Sequence, residues 1–375
     1  MQLLLGGDVM TGRGIDQVLP HPGVPTLFEP WVRDARDYVR LAEGVNGTIE
    51  APLAPAAIWG EALALMDRWP EALRIVNLET AVTAASDPWT GKGIHYRMHP
   101  DNLACLQAAR LAACGLANNH VLDWGRAGLA ETLASLAAAG LRSAGAGLNQ
   151  AGARAPAVLP LAGGGRVLFS AWAVTSSGVP EDWAATPTQS GIALLPDLSV
   201  RAAQEVARTL AVVRAPGDRT VVSLHWGGNW GFHLPGAHRD FAHRLIDLGA
   251  ADVVHGHSSH HPLPIEVYRD RPILYGCGDL LNDYEGIPAH GSLRSDCPCL
   301  YLVTLDEEGA LQALEIVPLQ LHRYRLRRAD AAARAWLRQI FAEEGRRFGT
   351  GVEDTGAGAF RLRWIKGRAA PAAGS

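Results

Sequence analysis

Five short polar motifs each follow an apolar run that is typical of a buried β-strand. They are, in chain order, Gly7-Asp8, Asn77-Leu78-Glu79, Asn118-Asn119-His120, His225-Trp226-Gly227 and Gly256-His257-Ser258-Ser259-His260. The carboxyl ends of strands in an open α/β sheet meet at one edge, and ligands bind there. Because the motifs carry carboxylate, amide and imidazole groups, they predict a site for a hard or borderline divalent metal.

The predicted metal ligands are side chains with oxygen or nitrogen donors. They are Asp8, Glu79, Asn119, His225, His257 and His260. This mixed donor set suits one or two divalent ions, with Mn²⁺, Fe²⁺, Ca²⁺ and Zn²⁺ all compatible. Any one of these residues alone is explained as well by a cap, a turn or a buried structural histidine. Three histidines at strand ends favour metal binding or acid/base chemistry instead.

The predicted catalytic residues are His120, His260 and Asp123. Asp123 lies three residues after His120, where its carboxylate is placed to fix the tautomer of the imidazole. Asp279 either lines the mouth of the site or caps a turn, and the sequence leaves both open. Lysine occurs only at Lys92 and Lys366. The sequence therefore assigns proton transfer to His, Asp, Glu or Cys rather than to lysine.

These motifs resemble the CapA family, named for poly-γ-glutamate capsule synthesis, within the calcineurin-like metallophosphatase superfamily. The resemblance runs from Gly7-Asp8 to the stretch 272–279 and is most specific at three places. These are Asn77-Leu78-Glu79-Thr80, Ala117-Asn118-Asn119-His120 with Asp123-Trp124-Gly125, and the His257/His260 segment leading to Pro264-Ile265-Glu266. The stretches 225–230 and 256–261 are similar to a soluble branch of the family, which includes an epimerase acting on a tryptophan of a lasso peptide precursor.

The resemblance implies a metallophosphatase-like fold and roles for individual residues. Glu79 stands where superfamily phosphatases have an aspartate that bridges two metals, and His120 matches their general acid. Those enzymes usually have a histidine two residues after the first aspartate, but this chain has Met10. One expected ligand of the first metal is therefore missing.

The order of predicted elements indicates an α/β fold, a layered β-sandwich flanked by helices, with antiparallel hairpins near the C-terminus. Residues 1–321 are predicted to form the CapA-like metallophosphatase domain, with 20–60 as an insertion. Residues 322–365 are predicted to be a basic helical extension and 366–375 a disordered tail.

The charge distribution bears on the partners of the chain. Residues 319–375 carry 12 Lys/Arg against 5 Asp/Glu, although the whole chain has a formal net charge of −4. This basic segment is interpreted either as a solvated helix or as a surface for an anionic partner. The charge gives no support for nucleic-acid binding.

The cysteines and the N-terminus bear on the compartment. Five cysteines without paired zinc-ribbon spacing are most simply reduced thiols of a cytosolic protein. The first residues lack the basic and apolar pattern of a signal peptide or membrane anchor. The sequence therefore predicts a cytoplasmic protein without a membrane anchor.

Three functions remain open at this point. The favoured one is a metal-dependent CapA-type enzyme that acts on a peptide or γ-glutamyl-type substrate by Cα epimerisation, with two groups removing and returning the proton. The second is a phosphoester hydrolase, for which Arg13, Arg97 and Arg126 are the available phosphate ligands. The third is a non-catalytic capsule or poly-γ-glutamate assembly factor. Met10 disfavours the second, and the density of acid/base groups disfavours the third.

Overall fold

Two β-sheets packed face to face form the centre of the molecule, and α-helices pack against them. The computed structural model describes residues 1–288 and 290–365. The strands are β1 (Gln2–Val9), β2 (Leu73–Leu78), β3 (Ala81–Val82), β4 (Arg97–Met98), β5 (Ala113–Gly115), β6 (Arg142–Ala144), β7 (Ala146–Gly147), β8 (Ala157–Pro160), β9 (Arg166–Val174), β10 (Gly191–Ile192), β11 (Leu194–Leu195), β12 (Arg219–His225), β13 (Val253–His257), β14 (Ile265–Tyr268), β15 (Arg271–Leu274), β16 (Asp279–Leu281), β17 (Cys299–Leu305), β18 (Leu311–His322), β19 (Arg325–Arg328), β20 (Thr350–Asp354) and β21 (Phe360–Trp364).

The α-helices are α1 (Arg13–Val18), α2 (Arg36–Asn46), α3 (Ala62–Met66), α4 (Ala104–Ala108), α5 (Gly125–Ala138), α6 (Gln150–Arg154), α7 (Val200–Ala211), α8 (Gly236–Asp247) and α9 (Ala331–Gly345). Short 3₁₀ turns occur at Pro55–Trp59, Pro100–Asn102, Thr175–Ser177, Glu181–Trp183 and Arg346–Phe348. Within the part of the chain that the structure describes, no helix has both the length and the apolar character needed to cross a bilayer.

The first sheet has the strand order β20-β21-β18-β17-β1-β2-β5-β6, with β16 beside β1 and β19 beside β18. Strands β1, β2, β5 and β6 run parallel, so the chain leaves each of them at the same edge. This edge carries the Asp8, Asn77 and Asn118 motifs. Gly7 is required here, because a Cβ at this position would lie 1.7 Å from the carbonyl oxygen of Gly278, next to β16.

The second sheet has the order β11-β9-β12-β13-β15-β14, with β8 beside β9. Both of its faces are buried. In β9, Val167, Phe169 and Ala171 belong to the core between the two sheets, whereas Leu168 and Trp172 belong to a separate core under α7 and α8. The period of two residues follows from the strand pleat. The face that looks toward the first sheet also carries four polar side chains, because each lies two or four residues after a core valine of its own strand. They are Ser223, His225, His255 and His257.

This architecture confirms the predicted α/β sandwich with flanking helices. The predicted hairpins near the C-terminus are also present, as β14 with β15 and β17 with β18. The turn of the first hairpin is made by Arg269 and Asp270, both with positive φ.

Residues 322–365, which were predicted as a basic helical extension, form strands as well as a helix. They contain α9, but β19 and β21 both pair with β18 and β20 pairs with β21, so the segment completes the first sheet. The short alternating strands carry so many arginines on their exposed faces that the charge obscured the strand pattern. The predicted insertion at 20–60 stays a prediction, and the predicted disordered tail at 366–375 lies outside the described residues.

Candidate metal centre

The ends of β1, β2, β12 and β13, together with the loop after β5, bring the predicted ligands together at the junction of the two sheets. The side chains of Asp8, Glu79, His225, His257 and His260 are all buried. Two groups have ligand atoms that all lie within 4.8 Å of one another, one of Asp8, His225 and His257 and one of Asp8, His260 and Asp279. Asp8 belongs to both groups.

Glu79 lies beside the first group rather than between the two. Its Oε2 is 3.9 Å from His225 Nδ1, and its Oε1 is 3.9 Å from His120 Nε2. Asn77 donates from Nδ2 to Asp8 Oδ1 at 2.8 Å and to Glu79 Oε2 at 3.1 Å, so one amide aligns both carboxylates. Asp8, rather than Glu79, is the carboxylate shared by the two ligand groups, and the bridging role that the family resemblance implies for Glu79 stays a prediction.

The tautomer of His257 is set by a chain of hydrogen bonds that begins in the first sheet. His255 Nε2 lies 2.9 Å from the carbonyl oxygen of Gly6, which can only accept. Burial lowers the pKa of His255 to about 4, so the ring is neutral and its Nδ1 accepts from the Ser223 hydroxyl at 3.0 Å. The Ser223 oxygen then accepts from His257 Nε2 at 2.8 Å. His257 Nδ1 consequently carries a lone pair.

This lone pair points at the other predicted ligands. His257 Nδ1 lies 2.8 Å from His225 Nδ1 and 3.6 Å from Asp8 Oδ1. His225 Nε2 lies 3.1 Å from Asn119 Oδ1. Two imidazole nitrogens and two carboxylates thus converge, which is a donor set for a borderline or hard divalent ion. The Asn119 amide oxygen contacts the other nitrogen of the His225 ring, so the predicted role of Asn119 as a metal ligand stays a prediction.

The electrostatics of the cluster also fit a cation. Burial, followed by the neighbouring Asp279, raises the pKa of Asp8 to about 7. Burial and then Asp8 raise the pKa of Glu79 well above its usual value. Buried carboxylates that repel one another are stabilised by a bound cation. The residues present therefore fit a divalent metal.

The backbone at Ser258 is strained in a way that serves the same carboxylate. Ser258 has φ 99°, in a region that costs a residue with a side chain about 1–3 kcal/mol. In this conformation its N–H donates to Asp8 Oδ2 at 3.2 Å. Gly256 is needed just before it, because a Cβ there would lie 2.4 Å from the carbonyl oxygen of Tyr275.

His120 forms a hydrogen-bonded pair with Asp123 at one side of the cluster. Its Nδ1 lies 2.6 Å from Asp123 Oδ2, which also accepts from the Tyr96 N–H, so the free nitrogen is Nε2, facing Glu79. Burial and the neighbouring Lys92 lower the pKa of His120 to about 4. His120 is thus a neutral imidazole with one available lone pair.

Lys92 is the residue that the sequence interpretation missed. Its Nζ contacts Asp123 Oδ1 and the carbonyl oxygen of Asn119, and it lies 3.0 Å from His120 Nδ1. Its side chain is only 13 % exposed. The nearly complete absence of lysine elsewhere in the chain was the available signal, but it was used to exclude lysine chemistry rather than to single out this position.

His260 forms a second pair, with Asp279. The two are joined at 2.8 Å between His260 Nδ1 and Asp279 Oδ1, and Asn282 donates to the other carboxylate oxygen at 2.8 Å. Burial lowers the pKa of His260, but Asp279 and then Asp8 outweigh it, and the net shift is upward. His260 Nε2 points to the Tyr284 hydroxyl, 3.4 Å away. Of the two interpretations of Asp279, the structure supports the one in which it lines the site.

One further histidine near the cluster and the three arginines considered as phosphate ligands have structural partners. His261 Nε2 accepts from the Gly231 N–H at 3.1 Å. Arg13 is held by Asp283 and Glu29, while Arg97 and Arg126 donate to backbone carbonyls. None of these three arginines presents an unengaged guanidinium to the cluster within the described part of the chain. All five cysteines are buried and free, as expected for reduced thiols.

A cleft of about 890 Å³ opens beside His260. Its lining includes Arg13 and Tyr284 near the cluster and Gln320, His322 and Arg327 on β18 and β19. A volume of this size accommodates a ligand of several residues or a drug-sized molecule. Of the cluster residues, His260 lines this substrate-sized cleft.

Comparisons with known proteins agree with the motifs. A family model described as bacterial capsule synthesis protein PGA_cap matches residues 2–284. A probable polyglutamine synthesis accessory protein from Mycobacterium tuberculosis is 49% identical over 352 residues, which cover 93% of this chain and 92% of that protein. The capsule biosynthesis protein CapA of Bacillus anthracis is 23% identical over 321 residues, covering 86% of this chain and 67% of that protein.

Among solved structures, a 5'-nucleotidase precursor from Thermus thermophilus aligns with 85% of this chain and 54% of its own. The TM-score is 0.43 at 18% sequence identity, a likeness too low to assign an activity.

Proposed function

The chain belongs to the bacterial capsule synthesis protein PGA_cap family, and on that premise we propose that it is a metal-dependent acid/base enzyme that exchanges the Cα proton of a peptide or γ-glutamyl substrate. The observation that carries the proposal is the presence of two imidazole–carboxylate pairs next to one metal-binding cluster. His120 with Asp123 lies at the Glu79 side, and His260 with Asp279 lies at the Asp8 side.

Epimerisation needs two proton-transfer groups, since one face of the carbanion loses the proton and the other receives it. Each of the two histidines has one nitrogen fixed by a carboxylate, which leaves Nε2 of each ring for transfer. Tyr284 and Tyr96 pack against His260 and His120 respectively and limit the access of water. The two pairs therefore supply what a two-base exchange requires.

The ion would be held by Asp8, Glu79, His225 and His257. Asn119 would orient the His225 ring through its contact with Nε2. A bound divalent metal would polarise the carbonyl next to the reacting Cα and lower the acidity barrier of the C–H bond. One ion in this group leaves His260 free for proton transfer. Another ion would have to use His260 and Asp279 beside Asp8. It would correspond to the first metal of the superfamily phosphatases, one expected ligand of which is missing because this chain has Met10.

The relatives named above support a substrate from glutamate-polymer metabolism, because their names refer to polyglutamine synthesis and capsule biosynthesis. The five free, buried thiols support a reducing compartment such as the cytosol.

The test is deuterium exchange. Metal-loaded protein is incubated with tri-γ-L-glutamate in D₂O, and mass spectrometry and chiral analysis then follow deuterium and D-glutamate. We expect both to accumulate without chain cleavage and to be lost in His120→Ala and His260→Ala. The control is His243→Ala, which removes a histidine of α8 that pairs with Glu266. This variant should behave as wild type. Exchange that survives in both site variants would refute the proposal.

The second candidate, a phosphoester hydrolase, is favoured by one observation, the second ligand group of Asp8, His260 and Asp279. Two bound ions per chain together with metal-dependent release of phosphate from an aryl phosphate would establish it. One ion per chain without phosphate release would exclude it. A chain that does neither exchange nor hydrolysis when metal-loaded would be an accessory factor, as the names of its relatives suggest.

A further inference from the structure

The cleft beside His260 extends away from the metal cluster to the hairpin of β18 and β19. At the cluster end it is lined by His260 and Tyr284, and at the other end by Gln320, His322 and Arg327. The far end thus belongs to the basic C-terminal segment, whose charge the metal chemistry does not use.

The walls of the cleft are apolar and aromatic. Trp31 lies on one wall and is 92% exposed, which is unusual for a large aromatic side chain. Ile94 is also exposed and lines the same cleft. Trp230 lines it as well and stacks on His290 with ring centroids 4.0 Å apart. Such walls bind the uncharged body of a ligand, because aromatic rings gain most from burying apolar surface.

The charged groups on the walls are mostly neutralised by one another. Arg13 pairs with Glu29 at 2.9 Å and Arg294 pairs with Asp296 at 2.7 Å. Glu285 accepts hydrogen bonds from the backbone N–H groups of Arg323 and Tyr324. A chain with many carboxylates would be repelled by these acidic side chains, and the paired arginines would offer it no free donors. The walls therefore do not favour a polyanion.

Arg327 is the exception. Among residues 1–288 and 290–365, no carboxylate forms an ion pair with its guanidinium, which donates from Nη2 to Gln320 Oε1 at 3.1 Å. The Nε of Arg327 is buried without a partner. Arg327 pairs with Gln320 across the β18–β19 ladder, and Gln320 lies two residues from His322 along β18. The position of Arg327 is therefore fixed by the strand register. A guanidinium with unused donors at the end of an aromatic cleft is a site for one anion.

We propose that Arg327 binds a carboxylate of the substrate at the far end of the cleft, while Trp31 and Trp230 hold the uncharged part that leads to the metal cluster. This inference rests on the proposed function and specifies its substrate class. The occupant is the end of a peptide or γ-glutamyl chain with one free carboxylate in the cleft, rather than the interior of a long polyanion.

The test compares two ligands and two matched arginine variants. The ligands are a γ-linked trimer of glutamate in which only the terminal carboxylate is free and the others are amides, and the same trimer with that carboxylate converted to an amide as well. Both are titrated calorimetrically into metal-loaded protein. Arg327→Gln is compared with Arg328→Gln, since Arg328 is the next residue of β19, is exposed and lies 3.7 Å from Glu61 instead of lining the cleft. Arg327→Lys retains the charge but loses the forked donors.

We expect Arg327→Gln to weaken binding of the acid form about ten- to hundredfold and to leave the amide form unchanged. Arg328→Gln should match wild type, and Arg327→Lys should fall between the two. Equal affinity of wild type for acid and amide forms, an equal loss in both glutamine variants, or no binding of the acid form would each overturn the inference. Thermal melts of the two glutamine variants show whether a loss comes from misfolding.

Failure of this inference and failure of the proposed function are separable in the same samples. Arg327-dependent binding without deuterium exchange refutes the enzyme activity alone. Exchange whose KM is unchanged in Arg327→Gln refutes the carboxylate site alone.

Discussion

Ser223 lies in the middle of the hydrogen-bond chain that runs from the Gly6 carbonyl through His255 to His257. Its hydroxyl should therefore control the affinity of the proposed metal site. It donates to His255 Nδ1 and accepts from His257 Nε2, and all three side chains are buried. Ser223→Ala therefore leaves two buried polar atoms without partners. Each such atom costs about 1–3 kcal/mol, so the free energy of unfolding of the metal-free protein should fall by about 2–6 kcal/mol.

The same change should weaken metal binding. Without Ser223 the His257 ring is free to rotate or to place its proton on Nδ1, where the lone pair is needed. Loss of a hydrogen bond that orients a metal-binding histidine typically lowers metal affinity about 10–100-fold. Calorimetric titration of chelator-treated protein with Mn²⁺ measures this, and urea denaturation measures the loss of stability.

Ser170 supplies the matched control. It is a buried serine of the neighbouring strand β9, and its Oγ accepts from Trp172 Nε1 at 2.8 Å. Ser170→Ala also leaves one buried donor unpaired and should cost about 1–3 kcal/mol, but the hydroxyl has no contact with the histidines. Equal Mn²⁺ affinity in Ser170→Ala and Ser223→Ala would show that the chain from Gly6 to His257 does not set the tautomer.

Three further outcomes follow from the same geometry. In the metal-free protein the pKa of Asp8 is raised to about 7 from 3.8, so the folded state keeps a proton that the unfolded state loses. The contribution of Asp8 to the stability measured by urea denaturation should therefore fall by about 4 kcal/mol as the pH rises from about 4 to about 7. Buried histidines with a lowered pKa, such as His120 and His255, change stability in the opposite direction, so the Asp8 contribution is obtained as the difference between wild type and Asp8→Asn. Saturating Mn²⁺ should abolish this contribution. Lys92→Met removes a cation that lowers the pKa of His120, so NMR titration should show this pKa rising from about 4 toward its usual value; an unchanged pKa would contradict the contact. All five cysteines are buried and free, so a thiol reagent should modify none in the native protein and all five in denaturant, and fewer than five in denaturant would reveal a disulfide.

The strand-end positions of the candidate ligands could be predicted from the sequence because each depends on a local rule, whereas their role as metal ligands stays a prediction. An apolar run followed by a polar residue marks the end of a buried strand, and parallel strands place such ends at one edge. The residues that orient the ligands were available by the same rule but were not used. Ser223 and His255 each lie two residues before a ligand on the same strand face, and the period of two would have placed them beside His225 and His257.

Lys92 and Arg327 could not be predicted in this way. Lys92 lies in a loop without periodicity, and its contact with Asp123 joins segments that are 31 residues apart. Arg327 lies in a segment that contains many other arginines, so its charge does not distinguish it from them. Only the pairing of β19 with β18 turns this one toward the cleft. Composition thus identified the basic segment but not the position that matters.

The metal centre depends on the contact between the two sheets. The proposed oxygen donors, Asp8 and Glu79, come from the first sheet, and the proposed imidazole donors, His225 and His257, come from the second. The hydrogen bond from His255 to the Gly6 carbonyl crosses the same junction and sets the lone pair that the metal requires. Neither sheet alone contains a complete ligand set or the correct histidine tautomer. The motifs in the sequence therefore report on each half of the site, whereas the packing of the sandwich core determines whether those halves meet.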